Sequence, residues 1–152
     1  MAPNPHTEQY WTDEDIEAVK NAKDFKELYI IADKILKVMP QPIVQVCGPI
    51  GTGGLGSVES NLEAFDQTIR SLQAKGLNVF DQMPFEWPMQ VLKFKLAKDV
   101  YPEDILKDFY LPIFESGFIS EFHFMPTWET SHGAKWEHGQ AEKLGIKIVY
   151  ID

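Results

Sequence analysis

The chain has 152 residues, of which 44% are hydrophobic, and a formal net charge of −9 at pH 7. This length and apolar content are typical of one globular domain with a sizeable core, and they exclude a disordered chain. The acidic balance argues against binding to duplex nucleic acid, which normally needs a basic face, but it still allows a small anionic ligand held by backbone N–H groups.

The composition favours neither a metal site nor a membrane or secreted location. The only cysteine, Cys47, excludes an internal disulfide and a cysteine-based zinc site, and the four scattered histidines predict no metal site. No apolar run approaches the roughly 18 residues that a membrane span needs. The first residues lack the basic and apolar segments of a signal peptide. We therefore expect a cytoplasmic protein without a membrane partner.

Residues 1–40 are predicted to form a helical extension. Prolines discourage regular structure in residues 1–11. Thr12 is a good N-cap before an acidic first turn. Apolar positions then recur at helical spacing as far as Met39, which predicts either two short helices or one kinked helix.

A glycine-rich loop follows the first predicted strand. The apolar run 42–47 indicates a central strand, and residues 48–57 then contain five glycines before a helix begins. Such a loop lets the backbone approach a ligand closely, although it has neither a Walker A ending nor a strict G-x-G-x-x-G frame. The alternative is a flexible surface loop. The candidate ligand-binding positions are Gly48, Pro49, Ile50, Gly51, Gly53 and Gly54.

A second strand, at residues 77–80, follows a helix that begins at Ser57 or Ser60. Residues 81–88 are predicted to form a loop rich in proline and aromatic residues. Its residues Phe85 and Trp87 either stack on a base of the ligand or pack as a hydrophobic lid on the N-terminal helices. The pattern of residues 89–100 is ambiguous between helix and loop.

The remaining elements are a helix that starts near residue 102, a strand at 118–125 and a helix followed by a final strand. Thr130 or Ser131 is the predicted N-cap of that last helix, and Gly145 suits its end. The run 146–151 indicates a buried strand.

The last helix carries a carboxylate on an otherwise small and apolar face. Ala134, Glu137, Ala141 and Leu144 follow a spacing of three and four residues, which places them on one side of the helix. Burying an unpaired charge is costly. Glu137 is therefore either a half-exposed side chain paired with a lysine or a nucleophile or acid–base group.

This helix also carries a resemblance to a known superfamily. The sequence Glu137-His138-Gly139-Gln140-Ala141 matches the E-x-G-x-A element of nucleoside 2-deoxyribosyltransferases. Ser131 resembles the serine of the 2′-deoxynucleoside 5′-phosphate N-hydrolase branch, where the transferases tend to carry aspartate. The order W-x-x-S-x-G-A-x-x-E, from Trp128 to Glu137, looks like a small branch of the same superfamily.

The resemblance implies roles for individual residues. Glu137 is expected to attack the anomeric carbon, and Ser131, Gly133 and Ala134 are expected to hold a 5′-phosphate at the helix N-terminus. The glycine-rich loop would bind sugar and phosphate. Asp108 would bind sugar hydroxyls or orient the nucleophile, with an exposed helix aspartate as the alternative.

Together these patterns predict an α/β fold of the flavodoxin/Rossmann-like kind. It has three layers, a mostly parallel sheet of four or five strands in the order 2-1-3-4, and helices on both faces. Residues 41–152 would form the deoxyribosyltransferase-like domain. The expected ligand is a nucleoside or nucleotide, the expected reaction needs no metal or cofactor, and the resemblance implies a homodimer or higher homo-oligomer.

Three other functions remain open from the sequence. A second base that displaces the enzyme-bound sugar would make the protein a deoxyribosyltransferase. A chain that keeps the fold without catalysis would be a nucleotide-binding module. Cleavage of an NAD-like dinucleotide uses a related sheet and a glutamate.

Overall fold

The computed structural model describes residues 3–51, 53–95 and 102–152. The chain forms two compact units. The sheet unit consists of Pro40–Phe80 and Ile119–Asp152, and the helical unit consists of Met1–Met39 and Asp81–Phe118. The boundary predicted near residue 40 lies at the first residue of the sheet unit, and the segment that follows residue 80 lies in the helical unit.

Three helices precede the first strand of the described chain, and at least one helix separates each strand from the next. The helices are α1 (Pro5–Glu8), α2 (Asp13–Lys20), α3 (Phe25–Val38), α4 (Val58–Ala74), α5 (Met83–Lys95), α6 (Pro102–Ile105), α7 (Leu111–Glu115) and α8 (His132–Leu144). The strands are β1 (Ile43–Cys47), β2 (Asn78–Val79), β3 (Ile119–Phe124) and β4 (Lys147–Tyr150). A π-helical turn, Leu106–Tyr110, joins α6 to α7, and a 3-10 turn, Trp128–Thr130, precedes α8. None of the described helices is both long enough and apolar enough to cross a membrane.

The four strands form one parallel sheet in the order β2-β1-β3-β4. The predicted strand order and the predicted α/β class are therefore confirmed. Crossovers between parallel strands are right-handed as a rule, and this order then places α4 and α8 on opposite faces of the sheet. The connections reverse direction between β1 and β3, which is where open parallel sheets bind their ligands.

Burial in the sheet follows from strand position. All five residues of the central strand β1 are buried. The final strand β4 lies at an edge, where it has a neighbour on one side only, and its residues are partly or fully exposed. The prediction of a buried strand at residues 146–151 is wrong for this reason.

The N-terminal residues contain a short helix where prolines were expected to prevent one. Asn4 caps α1 by accepting a hydrogen bond from the Thr7 N–H at 2.9 Å, and Pro5 occupies the first helical position, where no N–H is needed. The Asn4 amide and the Thr7 hydroxyl also donate to Oδ2 of Asp81, at 3.3 and 2.8 Å. The buried Asp81 carboxylate thus holds the N-terminal segment in place within the helical unit.

The region from Asp13 to Val38 forms two helices, so the first of the two alternatives is confirmed. Thr12 and Asp15 form a capping box at the start of α2, with bonds of 3.1 and 3.0 Å. Lys34 of α3 reaches back to Asp15 at 2.9 Å, which ties the two helices together.

The loop predicted at residues 81–88 is largely a helix. Asp81 Oδ1 accepts from the Met83 N–H at 2.9 Å at the start of α5, and Pro84 stands in the first turn, where proline is tolerated. Residues 89–95 continue this helix despite Pro88, and residues 96–100 lie outside the described residues.

Proline also accounts for the π-helical turn before α7. Pro112 has no N–H to donate to the carbonyl of Asp108, four residues earlier, so the regular helical bond cannot form there. The predicted site residue Asp108 lies within this π-helical turn, in the helical unit.

Candidate active site

Glu137 lies on α8 and is buried, with 8% of its surface exposed. Ala134 and Ala141 of the same helix face are buried too, as their spacing predicted, but Leu144 is 39% exposed because the helix ends there. A buried carboxylate needs donors to offset the loss of water. The structure supplies them from the central strand.

Gln45 and Cys47 of β1 both contact the same oxygen of this carboxylate. The Gln45 side-chain N–H donates to Glu137 Oε2 at 3.1 Å, and the Cys47 thiol lies 3.4 Å from that atom. The two residues are two apart on one strand, so their side chains point to the same face of the sheet. Glu137 is therefore oriented by one group in the middle of β1 and one at its carboxyl end, on the strand that borders the switch point.

The Cys47 thiol acts here as a neutral donor. Burial raises its pKa well above the ordinary value, and the charge of Glu137 and the hydrogen bond to it raise the pKa further. A neutral thiol donates S–H to the carboxylate without adding charge. Cys47 therefore supports Glu137 and is not itself placed to act as a thiolate nucleophile.

Gln45 keeps one unused acceptor beside Glu137. The side chain is fully buried, and its Oε1 has no hydrogen-bond partner among the described residues. A buried amide oxygen without a donor is uncommon and costs free energy. Oε1 of Gln45 is therefore an unpaired acceptor in the packed wall that holds Glu137.

Ser131 is the N-cap of α8, which decides between the two predicted caps. Its hydroxyl oxygen accepts from the Ala134 N–H at 3.2 Å, and the side chain is buried. The preceding residue, Thr130, instead belongs to the 3-10 turn. The N–H groups of the first turn, beginning at His132 and Gly133, form the positive end of the helix.

The glycine-rich loop lies directly against this helix start. The Gly54 N–H donates to the Thr130 hydroxyl at 2.7 Å. Gly53 has a φ of +70°, and a side chain there would collide with the Thr130 backbone. The loop and the residue before Ser131 therefore approach as closely as only glycine allows.

Asn61, in the first turn of α4, holds the loop in this shape. Its side-chain oxygen accepts from the Leu55 N–H at 2.9 Å, and its amide donates to the carbonyls of Ile50 and Gly53 at 3.0 and 3.2 Å. The side chain is buried. The sequence prediction missed this residue; an asparagine just inside the helix that follows the glycines was the available signal.

The other loop positions divide by their surroundings. Gly48 packs against the Met125 side chain, and Gly54 lies against Pro49. Gly51 faces open space. Gly48 is thus required by packing, whereas Gly51 is compatible with a ligand in front of it. Residue 52 lies outside the described residues.

Three predicted site residues belong to the helical unit: Asp108, Phe85 and Trp87. Asp108 is half-buried. Phe85 is fully buried against Trp11 and Phe109, with ring centroids 5.2 Å from each, so it takes the packing alternative. Trp87 is 64% exposed.

An aromatic cluster that the sequence prediction did not identify stabilises the approach to α8. The Trp128 ring stacks on His138 at 4.5 Å with an interplanar angle of 7°. His138 is also 2.7 Å from the Tyr150 hydroxyl and 3.0 Å from Glu142. These contacts fix the 3-10 turn against α8 and β4, and with it the position of Ser131.

Within the described part of the chain, no group of three or more His, Cys, Asp and Glu side chains is arranged to hold a metal ion.

The fold and the site define a class of protein: a parallel α/β protein with a buried carboxylate held at its switch point. Residues 43–150 match the model of the family described as "Domain of unknown function (DUF4406)". The match covers more than half of the chain, which therefore belongs to this family. No curated protein and no solved structure matches the chain significantly.

Proposed function

We propose that this protein cleaves the N-glycosidic bond of a nucleoside 5′-monophosphate or a nucleoside, most readily a deoxynucleotide, through a covalent intermediate on Glu137. The observation that carries the proposal is the buried Glu137 carboxylate, fixed by Gln45 and Cys47 beside the sheet's switch point. The resemblance of residues 137–141 to the deoxyribosyltransferase element supports the same chemistry.

The proposed reaction has two steps. A Glu137 oxygen attacks the anomeric carbon while the bond from that carbon to the base nitrogen breaks. The base leaves with the bonding electron pair and takes a proton from water. Water then attacks the same carbon, the sugar ester of Glu137 breaks, and the carboxylate is regenerated as a proton returns to solvent.

Gln45 and Cys47 have defined parts in this scheme. Donors on a carboxylate oxygen stabilise its charge and fix its direction. Both residues thus position the nucleophile without taking part in bond breaking.

The phosphate would bind at the start of α8. The Ser131 hydroxyl accepts from Ala134 and still has its own proton to donate, and the first-turn N–H groups favour an anion. The neighbouring glycine-rich loop, held by Thr130 and Asn61, would close over the sugar. Serine rather than aspartate at residue 131 favours a substrate that carries a phosphate.

A homodimer is also part of the proposal. Ile30 and Val38 of α3 are 64% and 62% exposed, and large exposed apolar side chains on one helix suit burial against a second copy. Sedimentation of the wild type and of Ile30→Glu tests this. A wild-type protein that sediments as a monomer at micromolar concentration contradicts it.

The decisive experiment measures release of free base by chromatography from deoxynucleoside and nucleoside monophosphates, nucleosides and NAD. We expect release from at least one monophosphate and its loss in Glu137→Gln. The intact mass of the protein during turnover should rise by that of the bound sugar phosphate. Base exchange when a second base is added, instead of hydrolysis, would identify a transferase.

The matched control is Glu63→Gln, which removes an exposed carboxylate from α4 of the same unit. It should retain activity. Release that persists in Glu137→Gln would falsify the assigned role of Glu137, and saturable nucleotide binding without turnover would identify a binding module.

A further inference from the structure

A mainly apolar cavity of about 320 Å³ lies between α2 and α5 in the helical unit. Its apolar walls include Ile16 and Val19 of α2 and Val91 and Leu92 of α5. Ligand sites typically have volumes of about 300–1,000 Å³ and mostly apolar linings with few polar groups. This cavity falls at the lower end of that range, so it suits a small molecule.

The polar side chains among the described lining residues carry only hydrogen-bond donors. They are the lysine side chains of Lys20 and Lys95 and the indole side chains of Trp11 and Trp87. None of the described lining residues has a side chain that accepts a hydrogen bond. A ligand that matches these side chains presents acceptors to them.

Trp11 provides the most specific of these donors. The side chain is 7% exposed, and its indole nitrogen has no hydrogen-bond partner among the described residues. A buried tryptophan N–H normally finds a partner. The nitrogen atom is also closed to solvent, so an acceptor on a ligand reaches it only when the indole ring turns toward the cavity.

The charge of the lining also selects the ligand. Lys20 and Lys95 are the charged residues among the described part of the lining, in a chain whose formal net charge is −9. Lys20 is 3.7 Å from Glu17, and both side chains are mostly exposed, so this ion pair is weak and readily exchanged. The cavity is thus a locally cationic site with apolar walls.

We propose that this cavity binds a small molecule with an apolar body and a carboxylate group. The body fills the space between α2 and α5, the carboxylate pairs with Lys20 and Lys95, and the Trp11 N–H donates to an acceptor on the ligand. The site uses none of the residues of the candidate active site, so its existence does not depend on the glycosidic chemistry.

The test is a titration of the ¹⁵N-labelled protein with sodium octanoate and, separately, with 1-naphthoate, followed by NMR. The indole N–H signal of Trp11, assigned through Trp11→Phe, should shift saturably with at least one of the two carboxylates. The signals of Trp128 and Trp136, which lie in the sheet unit, serve as internal references. The two probes distinguish an alkyl from an aromatic body.

Two variants test the charge. The double variant Lys20→Gln/Lys95→Gln should bind the carboxylate about threefold to tenfold more weakly, as expected for exposed ion pairs, and should bind neutral octan-1-ol as the wild type does. Lys26→Gln, on exposed α3 surface outside the lining, is the matched control. An equal loss in Lys26→Gln contradicts the assigned pairing.

Ala22→Leu tests the location of the site, because residue 22, in the connection between α2 and α3, lines the cavity. The added side chain should weaken binding while circular dichroism stays native. Unchanged affinity in this variant, or no saturable shift of Trp11 at millimolar concentrations of either carboxylate, overturns the proposal.

Discussion

The side-chain N–H of Gln45, on the central strand, donates to Glu137 Oε2 on α8 across 3.1 Å. Both side chains are buried, and 92 residues separate them along the chain. This bond joins the sheet to the helix that carries the proposed nucleophile. It therefore affects both stability and the direction of the carboxylate.

Replacing Gln45 with leucine should lower the stability of the protein and leave the Glu137 carboxylate less firmly oriented. Loss of a donor to a buried carboxylate costs about 1–3 kcal/mol, so the free energy of unfolding from urea denaturation should fall by that amount. Turnover of any nucleotide substrate should fall as well, since Glu137 is less firmly oriented. Gln67→Leu, on the exposed face of α4, is the control and should change stability by no more than about 0.5 kcal/mol. A Gln45→Leu protein as stable as the control would contradict the bond's importance.

Cys47 should be inert in the folded protein. It is fully buried, and its raised pKa keeps it a thiol near neutral pH. The thiolate, not the thiol, attacks the disulfide of dithionitrobenzoate, so this reagent should react only as fast as the protein opens, and rapidly in urea. Because the chain has one cysteine, the absorbance change reports this site alone. A rapid reaction of the native protein would show that the thiol is exposed or ionised.

Local signals in the sequence were enough for the sheet and for the start of α8. The apolar run of β1, the glycines after it and the serine cap each act within a few residues, and the connection rules for parallel strands then gave the order. Such signals do not identify partners from distant segments. Only the folded chain brings Gln45 to Glu137. The same holds for the hydrogen bonds that Asn4 and Thr7 donate to Asp81.

Proline misled the prediction twice for one physical reason. Its cost depends on whether the missing N–H would have had a partner. Pro5 and Pro84 stand in first turns, where the N–H groups are unpaired in any helix. The residue type alone cannot show this, because the helix start in α1 and α5 is set by Asn4 and Asp81.

Gly53→Ala should disrupt the loop beside Ser131. The added methyl group would meet the Thr130 backbone, and the φ of +70° is strained for alanine. Such a change is expected to cost about 1–3 kcal/mol and to lower substrate affinity. Calorimetric unfolding and nucleotide titration measure the two effects.

Gly51→Ala is the matched test in the same loop. No atom lies near the position of its added methyl group, and its φ is not in the left-handed region. Stability should stay the same or rise by up to about 1 kcal/mol, because alanine restricts the unfolded chain. Equal losses in both variants would show that the contact with Thr130 is not the reason for glycine at residue 53.

Glu86 of α5 should make stability depend on pH. Burial raises the pKa of this carboxyl from 4.5 to about 6, although hydrogen bonds from Tyr110 and Gln82 and the charge of Lys93 oppose the shift. Between those pH values the folded state holds a proton that the unfolded state has lost. The free energy of unfolding should therefore fall as the pH rises from about 4.5 to 6, by about 2 kcal/mol at 1.36 kcal/mol per pKa unit.

Glu86→Gln removes the ionisation and keeps an oxygen that can accept from the Tyr110 hydroxyl, which is 2.9 Å from Glu86 Oε1. Its stability should change less than the wild type's across this window, so the difference in stability between the two proteins should change between about pH 4.5 and 6 and level off at higher pH. Urea denaturation at a series of pH values measures it. Glu115→Gln, at an exposed position of α7, should follow the wild-type curve. A buried carboxylate at residue 86 ionises only at a cost in stability. If Glu86→Gln nevertheless follows the wild-type curve, the pH dependence belongs to another group.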